Sequence, residues 1–215
     1  MSSEIVVERG WLAPDLAEEY PGLGLLSCGS AIASASAEPG VRARLESLAD
    51  RMRGAQALEL RREPVPAAYR VFYRHIGIDP DVTRTPVERE VLERLLHGGL
   101  RSRGRIADAL ALAVLETGVA VDALDEVALA GALGLRPAAR DERLGTGAGA
   151  RPLRPGRIVV ADGERALYEL FGALPEGVAP HRRTRSLRLV AVQVPGVPSI
   201  HVEEALWIVR EALGH

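Results

Sequence analysis

The sequence predicts an α+β fold in which helices pack around a mixed β-sheet. Three observations carry that prediction. A helix-opening signal, Thr85-Pro86-Val87-Glu88, precedes apolar residues at helical spacing. The stretch Leu187 to Val194 (LRLVAVQV) is rich in β-branched residues and too apolar for an exposed edge, so it reads as a buried strand. Between them, helical segments and short extended pieces follow one another with no internal repeat and no heptad array. One domain spanning residues 1–215 is expected, its core at about 65–194, with an N-terminal extension and a C-terminal helix.

The elements follow in chain order. Residues 4–7 (Glu-Ile-Val-Val) predict a short strand, and Leu23 to Ile32 a buried strand with a turn. Val41, Leu45, Leu48 and Met52 repeat as on a helix face. Pro66 to His75 reads as a helix with Tyr69 and Tyr73 four apart. In the next helix Thr85 caps, Pro86 suits the first turn and Glu88 completes a capping box. Val87, Val91 and Leu95, with Leu92 and Leu96, form its apolar face, and Gly98-Gly99 ends it. A further helix spans Arg105 to Thr117, with Gly118 as a left-handed stop. Strands are expected at Val121 to Leu124, Leu133 to Arg136, Arg157 to Ala161 and Leu187 to Val194. Gly145 to Gly156 is a Gly/Pro-rich loop within the domain, a linker being the rival reading. Val202 to Leu213 closes the chain as a helix whose inner face carries Leu206, Val209 and Leu213.

Composition narrows the chemistry. Of 215 residues, 47% are hydrophobic and 26% charged, as in ordinary globular proteins, and only 4% are aromatic. The core must therefore be mostly aliphatic. The formal net charge is -2, so any grip on nucleic acid must come from a local basic patch. All 27 basic residues are arginine, with no lysine and no asparagine. Schiff-base chemistry and a P-loop are excluded, because both need a lysine. Cys28 is the lone cysteine, so no disulfide forms within the chain, which suits a reducing cytoplasm. The start has no signal-peptide pattern and no apolar run is long enough to span a bilayer, so a soluble, cytoplasmic protein is expected.

The order of several short motifs adds a resemblance. Ala107-Asp108, Gly118 through Asp125, Gly131 through Arg136, Asp141-Glu142 and Ala161-Asp162 fall in the sequence and spacing of a known series. That series is similar to the tRNA-editing (B3/B4) domain of the phenylalanyl-tRNA synthetase beta subunit. The likeness is best from Tyr69 to Val194, and the segment YRVFYRHIGIDPDVTRTPVERE resembles free-standing members of the group. The resemblance implies a B3/B4-like fold and a tRNA or aminoacyl-tRNA end as partner. It also implies hydrolysis of a mischarged ester, which is how a second site removes an error that binding cannot reject. The family's pocket positions fall at Leu110, Ala111, Asp122, Phe171 and Val190, and none keeps the family's polar group. Tyrosine editing by the family's chemistry is therefore not expected. The alternative is a non-catalytic binder of a small metabolite or amino acid in the remodelled pocket; a third is an interaction protein whose pocket Phe171 closes.

Candidate residues follow from both lines. Asp122 and Glu142 are the carboxylates left to act, one as base toward water and the other as amine binder, if they share a cavity. The competing reading has Glu142 as a turn residue and Asp122 as a solvated cap. Asp108 reads as a tie between a helix start and a loop, and Thr184 as a turn hydrogen bond. Two arginine clusters, Arg101, Arg103, Arg105 and Arg182, Arg183, Arg185, are the candidates for phosphate contact, solvated charge being the alternative. The five histidines are scattered without metal-ligand spacing, so neither a metal nor a cofactor is predicted. Cys28 reads as a small buried residue, and GTGAGA as a weak phosphate-loop match lacking a strand-to-helix context.

Overall fold

A computed structural model describes residues 6–32, 39–51, 59–96, 102–145, 150–163 and 165–214. The fold is α+β. Its helices are α1 (Pro14–Glu19), α2 (Pro39–Arg51), α3 (Pro64–His75), α4 (Pro86–Leu96), α5 (Arg105–Thr117) and α6 (Ser199–Ala212). The strands are β1 (Glu8–Arg9), β2 (Trp11–Leu12), β3 (Gly24–Ala31), β4 (Val121–Asp125), β5 (Leu133–Pro137), β6 (Arg143–Leu144), β7 (Arg151–Pro152), β8 (Ile158–Asp162), β9 (Arg165–Glu169) and β10 (Ser186–Gln193).

The strands divide between two four-stranded sheets and a ribbon, where the sequence led to one mixed sheet. The first sheet runs β1-β3-β10-β4, antiparallel throughout. The second runs β2-β5-β8-β9 and is mixed, because β2 lies parallel to β5. β6 and β7 form the ribbon. The chain moves from one sheet to the other within five residues, β1 joining the first and β2 the second. Gly10 is the crossover: a Cβ there would lie 2.6 Å from the Leu133 carbonyl oxygen and 2.8 Å from Leu25. Gly134 is required for a similar reason, since the Trp11 ring lies where its side chain would be.

β10 is the centre of the first sheet, flanked by β3 and β4, and its apolar sequence follows from cover on both faces. α5 and α6 pack against each other and against this sheet, α5 on β4 and α6 on β10 and β3. The second sheet lies against the opposite side. Tyr168 of β9 reaches across to Asp122 of β4, and the Tyr69 hydroxyl of α3 donates to the Val192 carbonyl at 2.7 Å. One cluster of buried residues runs through both sheets and the helices, and a smaller one (Ala138, Leu144, Leu153, Val159, Ala166) sits under the ribbon.

Several boundaries follow the sequence. α4 begins with the Glu88 carboxylate accepting from Thr85 N–H at 3.1 Å, and α5 ends on Gly118 at φ 75°. Other elements depart from it. The predicted strand at 4–7 is displaced to Glu8–Arg9, where pairing with Leu26 and Ser27 supplies its partners; residues 4 and 5 lie outside the described residues. β2, α1 and β9 were not foreseen. Met52, Gly98, Gly99 and residues 146–149 of the Gly/Pro-rich loop also lie outside the described residues. Among the described residues no helix is long and apolar enough to cross a membrane.

Candidate functional site

A cavity of about 240 Å³ opens where α4, α5 and the start of β4 meet. α5 supplies its apolar wall: Ala107, Leu110, Ala111 and Val114 recur at helical spacing on one face. α4 contributes Pro86, Arg89 and Glu90, and the turn into β4 contributes Ala120, Val121 and Asp122. Arg103, from the segment before α5, completes the rim.

Asp122 is the chemical centre. It is half-buried: protein atoms pack densely around it, and its remaining exposure faces the cavity it lines. Tyr168, fully buried, donates its hydroxyl to Asp122 Oδ2 at 3.0 Å. Burial pushes the Asp122 carboxyl up to about 6, against the lowering pull of the Tyr168 hydroxyl and the Arg89 charge. A carboxyl near 6 exchanges a proton readily at neutral pH, as general acid–base chemistry requires. Tyr69, Tyr73 and Tyr168 are all held above the ordinary tyrosine range, first by burial and then by the Asp122 charge among other groups, so they stay protonated beside it.

The rim carries opposite charges. Arg103 bridges to Glu90 at 2.5 Å and Glu93 at 2.7 Å, tying the start of α5 to α4. Arg89 is exposed, and its guanidinium makes no ion pair among the described residues. Asp108 anchors the same corner by accepting from Ser102 Oγ at 2.5 Å and Arg103 N–H at 2.9 Å.

The other candidates fall as follows. Leu110 and Ala111 share the cavity with Asp122. Val190 is the register partner of Asp122 on β10, so it lies beside it on the same sheet face, buried behind the cavity and outside its lining. Phe171 is also outside the lining. It stacks on Tyr73 at 4.7 Å and meets Tyr69 and Phe72 edge-on, held at φ 62° in the turn after β9. It fills the aromatic core, so it does not close this cavity.

Glu142 does not face Asp122 across the cavity. It takes two hydrogen bonds from Arg136, at 2.8 and 2.5 Å, and one from Ala139 N–H at 2.8 Å. The Arg136 guanidinium, with that N–H, holds its carboxyl below the usual range. Its lone pairs are engaged, and the turn before β6 is its place. The two-carboxylate arrangement is therefore not formed. Asp122, in turn, is no solvated cap.

Of the arginines, Arg101 lies outside the described residues. Arg103 is engaged by Glu90 and Glu93, and Arg105 opens α5 half-buried. Arg182 and Arg183 are exposed, with no ion pair among the described residues, and Arg185 donates to the carbonyls of Arg182 and Thr184. Their turn is pinned to β4: Thr184 donates to Asp125 Oδ2 at 2.7 Å and accepts from His181 N–H at 3.0 Å. Asp125 and Asp122 lie three residues, roughly 10 Å, apart along β4, and strand alternation sends their side chains to opposite faces.

Sequence reasoning missed Tyr168 and Arg89. Tyr168 could have been found as the one aromatic residue facing inward on a strand at the Asp122 level, had β9 been recognised. Arg89 sits one residue after the capping box and carries no separate signal. Cys28 is buried, and burial pushes its thiol up to about 11, so it is no nucleophile at neutral pH. No known family's model matches the chain, and no curated protein matches it.

Proposed function

We propose that this chain is a B3/B4-like protein that binds the aminoacyl end of a tRNA and hydrolyses a mischarged ester in the cavity beside Asp122. One observation carries the reading. Asp122, with its carboxyl poised near 6, shares a single cavity with Leu110 and Ala111, three positions that the family resemblance named for the pocket. In this reading Asp122 is the sole base. It takes a proton from water, the water oxygen adds to the ester carbonyl, and the carbon–oxygen bond to the ribose breaks. The proton then passes to the departing ribose oxygen, leaving free amino acid and tRNA. The exposed Arg182 and Arg183 turn, tied to the far end of the same strand, offers phosphate contacts for the rest of the tRNA. The reducing cytoplasm suits both the lone buried thiol and the substrate.

The test is release of amino acid from a panel of mischarged tRNAs, with Asp122→Ala as control. Release that depends on Asp122 supports the reading, and its absence across the panel, with no tRNA bound at low salt, ends it. Each phosphate contact removed from the Arg182–Arg183 turn should lower the salt slope of tRNA binding by about 0.7 to 0.9.

A second reading, a binder of a free amino acid or small metabolite, is favoured by the rim itself. Arg103 is already neutralised by Glu90 and Glu93, which weakens the first arginine cluster as an RNA surface. A thermal shift with free amino acids and none with tRNA would select it.

A further inference from the structure

The ribbon of β6 and β7 is part of a longer arm. Its two limbs run antiparallel away from the second sheet. Ala138 N–H donates to the Arg157 carbonyl at 2.7 Å, Gly156 N–H to the Ala138 carbonyl at 3.0 Å and Leu153 N–H to the Glu142 carbonyl at 2.8 Å. Arg143 and Leu144 then pair with Pro152 and Arg151. Leu144 and Leu153, the arm's two leucines, are buried in the smaller apolar cluster. What the arm turns to solvent is arginine. Residues 136–157 hold six arginines against two carboxylates, Asp141 and Glu142, in a chain whose formal net charge is -2.

Two of the six brace the arm. Arg136 is tied to Glu142, and the half-buried Arg157 lies 3.5 Å from Glu169 and donates to the Ile76 carbonyl. Arg140, Arg143, Arg151 and Arg154 are exposed. Among the described residues the Arg140 and Arg154 guanidinium groups make no ion pair. Arg143 donates one N–H to the Ala150 carbonyl, and Arg151 reaches Glu169 only at 3.4 Å with half its side chain exposed. Four guanidinium forks on one projecting arm match the oxygens of neighbouring phosphates. No aromatic residue lies in 136–157, so the arm has nothing on which an unpaired base could stack. With its leucines turned inward, it also lacks the apolar side chains that enter a bilayer interface.

We propose that this arm grips the phosphate backbone of a nucleic-acid duplex, without reading its sequence, through Arg140, Arg143, Arg151 and Arg154. Under the reading above that duplex is a helical stem of a tRNA. The inference rests on that reading only for which duplex is met; the contact itself needs no ester and no Asp122.

The test is fluorescence anisotropy of the full chain with a labelled RNA duplex of about two helical turns, over about 50 to 200 mM salt. Four contacts should give a log–log salt slope of about -3 to -4. Arg140→Gln with Arg154→Gln, both exposed and outside the core, should weaken binding at least tenfold at low salt and reduce the slope by about 2. Arg42→Gln with Arg62→Gln makes the same change in net charge at exposed sites elsewhere and should leave binding unaltered. Equal weakening by the two pairs overturns the proposal, because net charge alone would then account for it. So does tighter binding to a single strand of the same length, or binding only to phosphatidylserine vesicles. Duplex binding through the arm with no release of amino acid from mischarged tRNA would sink the deacylation reading and leave this inference standing.

Discussion

At the junction of α5 and β4, and again at the turn after β5, the chain places a carboxylate near an arginine, and the two surroundings push them in opposite directions. Asp122 has one hydroxyl donor, a guanidinium that acts on it without an ion pair, and dense protein around it; burial wins and its carboxyl rises to about 6. Glu142 has a bidentate guanidinium and a backbone N–H; the donors win and its carboxyl falls below the usual range. The difference is in how many donors meet the charge. A carboxylate with every lone pair answered is a structural tie. One that is buried with an oxygen left over keeps a labile proton, and such groups cluster at functional sites.

Four substitutions would break or sharpen that contrast. The largest effect is expected from Asp122→Asn. On the proposed reading, hydrolysis of mischarged tRNA should fall by about 10²- to 10⁴-fold, since a neutral amide cannot accept the proton. The same change should stabilise the fold. A carboxyl raised from 3.8 to about 6 costs stability once ionised, on the order of 3 kcal/mol at full charge. Its contribution is fully present below pH 3.8 and is lost as pH rises through about 6. Chemical denaturation of Asp122→Asn should therefore show a gain of about 1–3 kcal/mol at pH 7.5 and almost none at pH 3.5. A loss at pH 7.5 would mean that the carboxylate is stabilising and the contrast false.

Glu142→Gln should act oppositely. It removes the charge from a mostly covered bidentate pair and should cost about 1.5–3 kcal/mol at neutral pH, with no change in hydrolysis. Because the folded carboxyl is held low, its stabilisation is present above the ordinary glutamate range and fades as pH falls through the folded value. Impaired hydrolysis in a folded Glu142→Gln protein would restore it to the site.

Arg89→Gln should have a smaller effect, read in a pH–rate profile. Rates should rise through the Asp122 midpoint to a plateau, and loss of the Arg89 charge should move that midpoint up by a few tenths of a unit. The smallest effect is expected from Arg103→Ala. Its ion pairs with Glu90 and Glu93 are partly exposed, so thermal denaturation should register less than about 1 kcal/mol.

Local signals in the sequence were faithful where local physics decides. The Thr85–Glu88 pairing, the Gly118 stop and the burial of LRLVAVQV each follow from a few adjacent residues, and each is present. The split into two sheets was not legible. It depends on Gly10 and Gly134 permitting backbone approach to residues more than a hundred positions away, and no window of sequence contains that information. At the site, Leu110, Ala111 and Asp122, which the family resemblance pointed to, line one cavity. Glu142 was misjudged because its arginine, six residues earlier, had to be brought round by the turn. Phe171 looked like a lid because its own partners, Tyr69, Phe72 and Tyr73, lie on a helix a hundred residues upstream.

The central pairing of the first sheet carries a consequence for how the molecule is made. β3 and β10 register along eight residue pairs, yet they are roughly 160 residues apart in the chain, a separation of the kind that slows folding. During synthesis β3 leaves the ribosome with only the two-residue β1 to pair with, and its edge toward β10 stays open. β4, which bears Asp122, likewise waits for β10 before it has a strand beside it. The pocket is therefore among the last features to form, because its floor strand has no neighbour until β10 arrives.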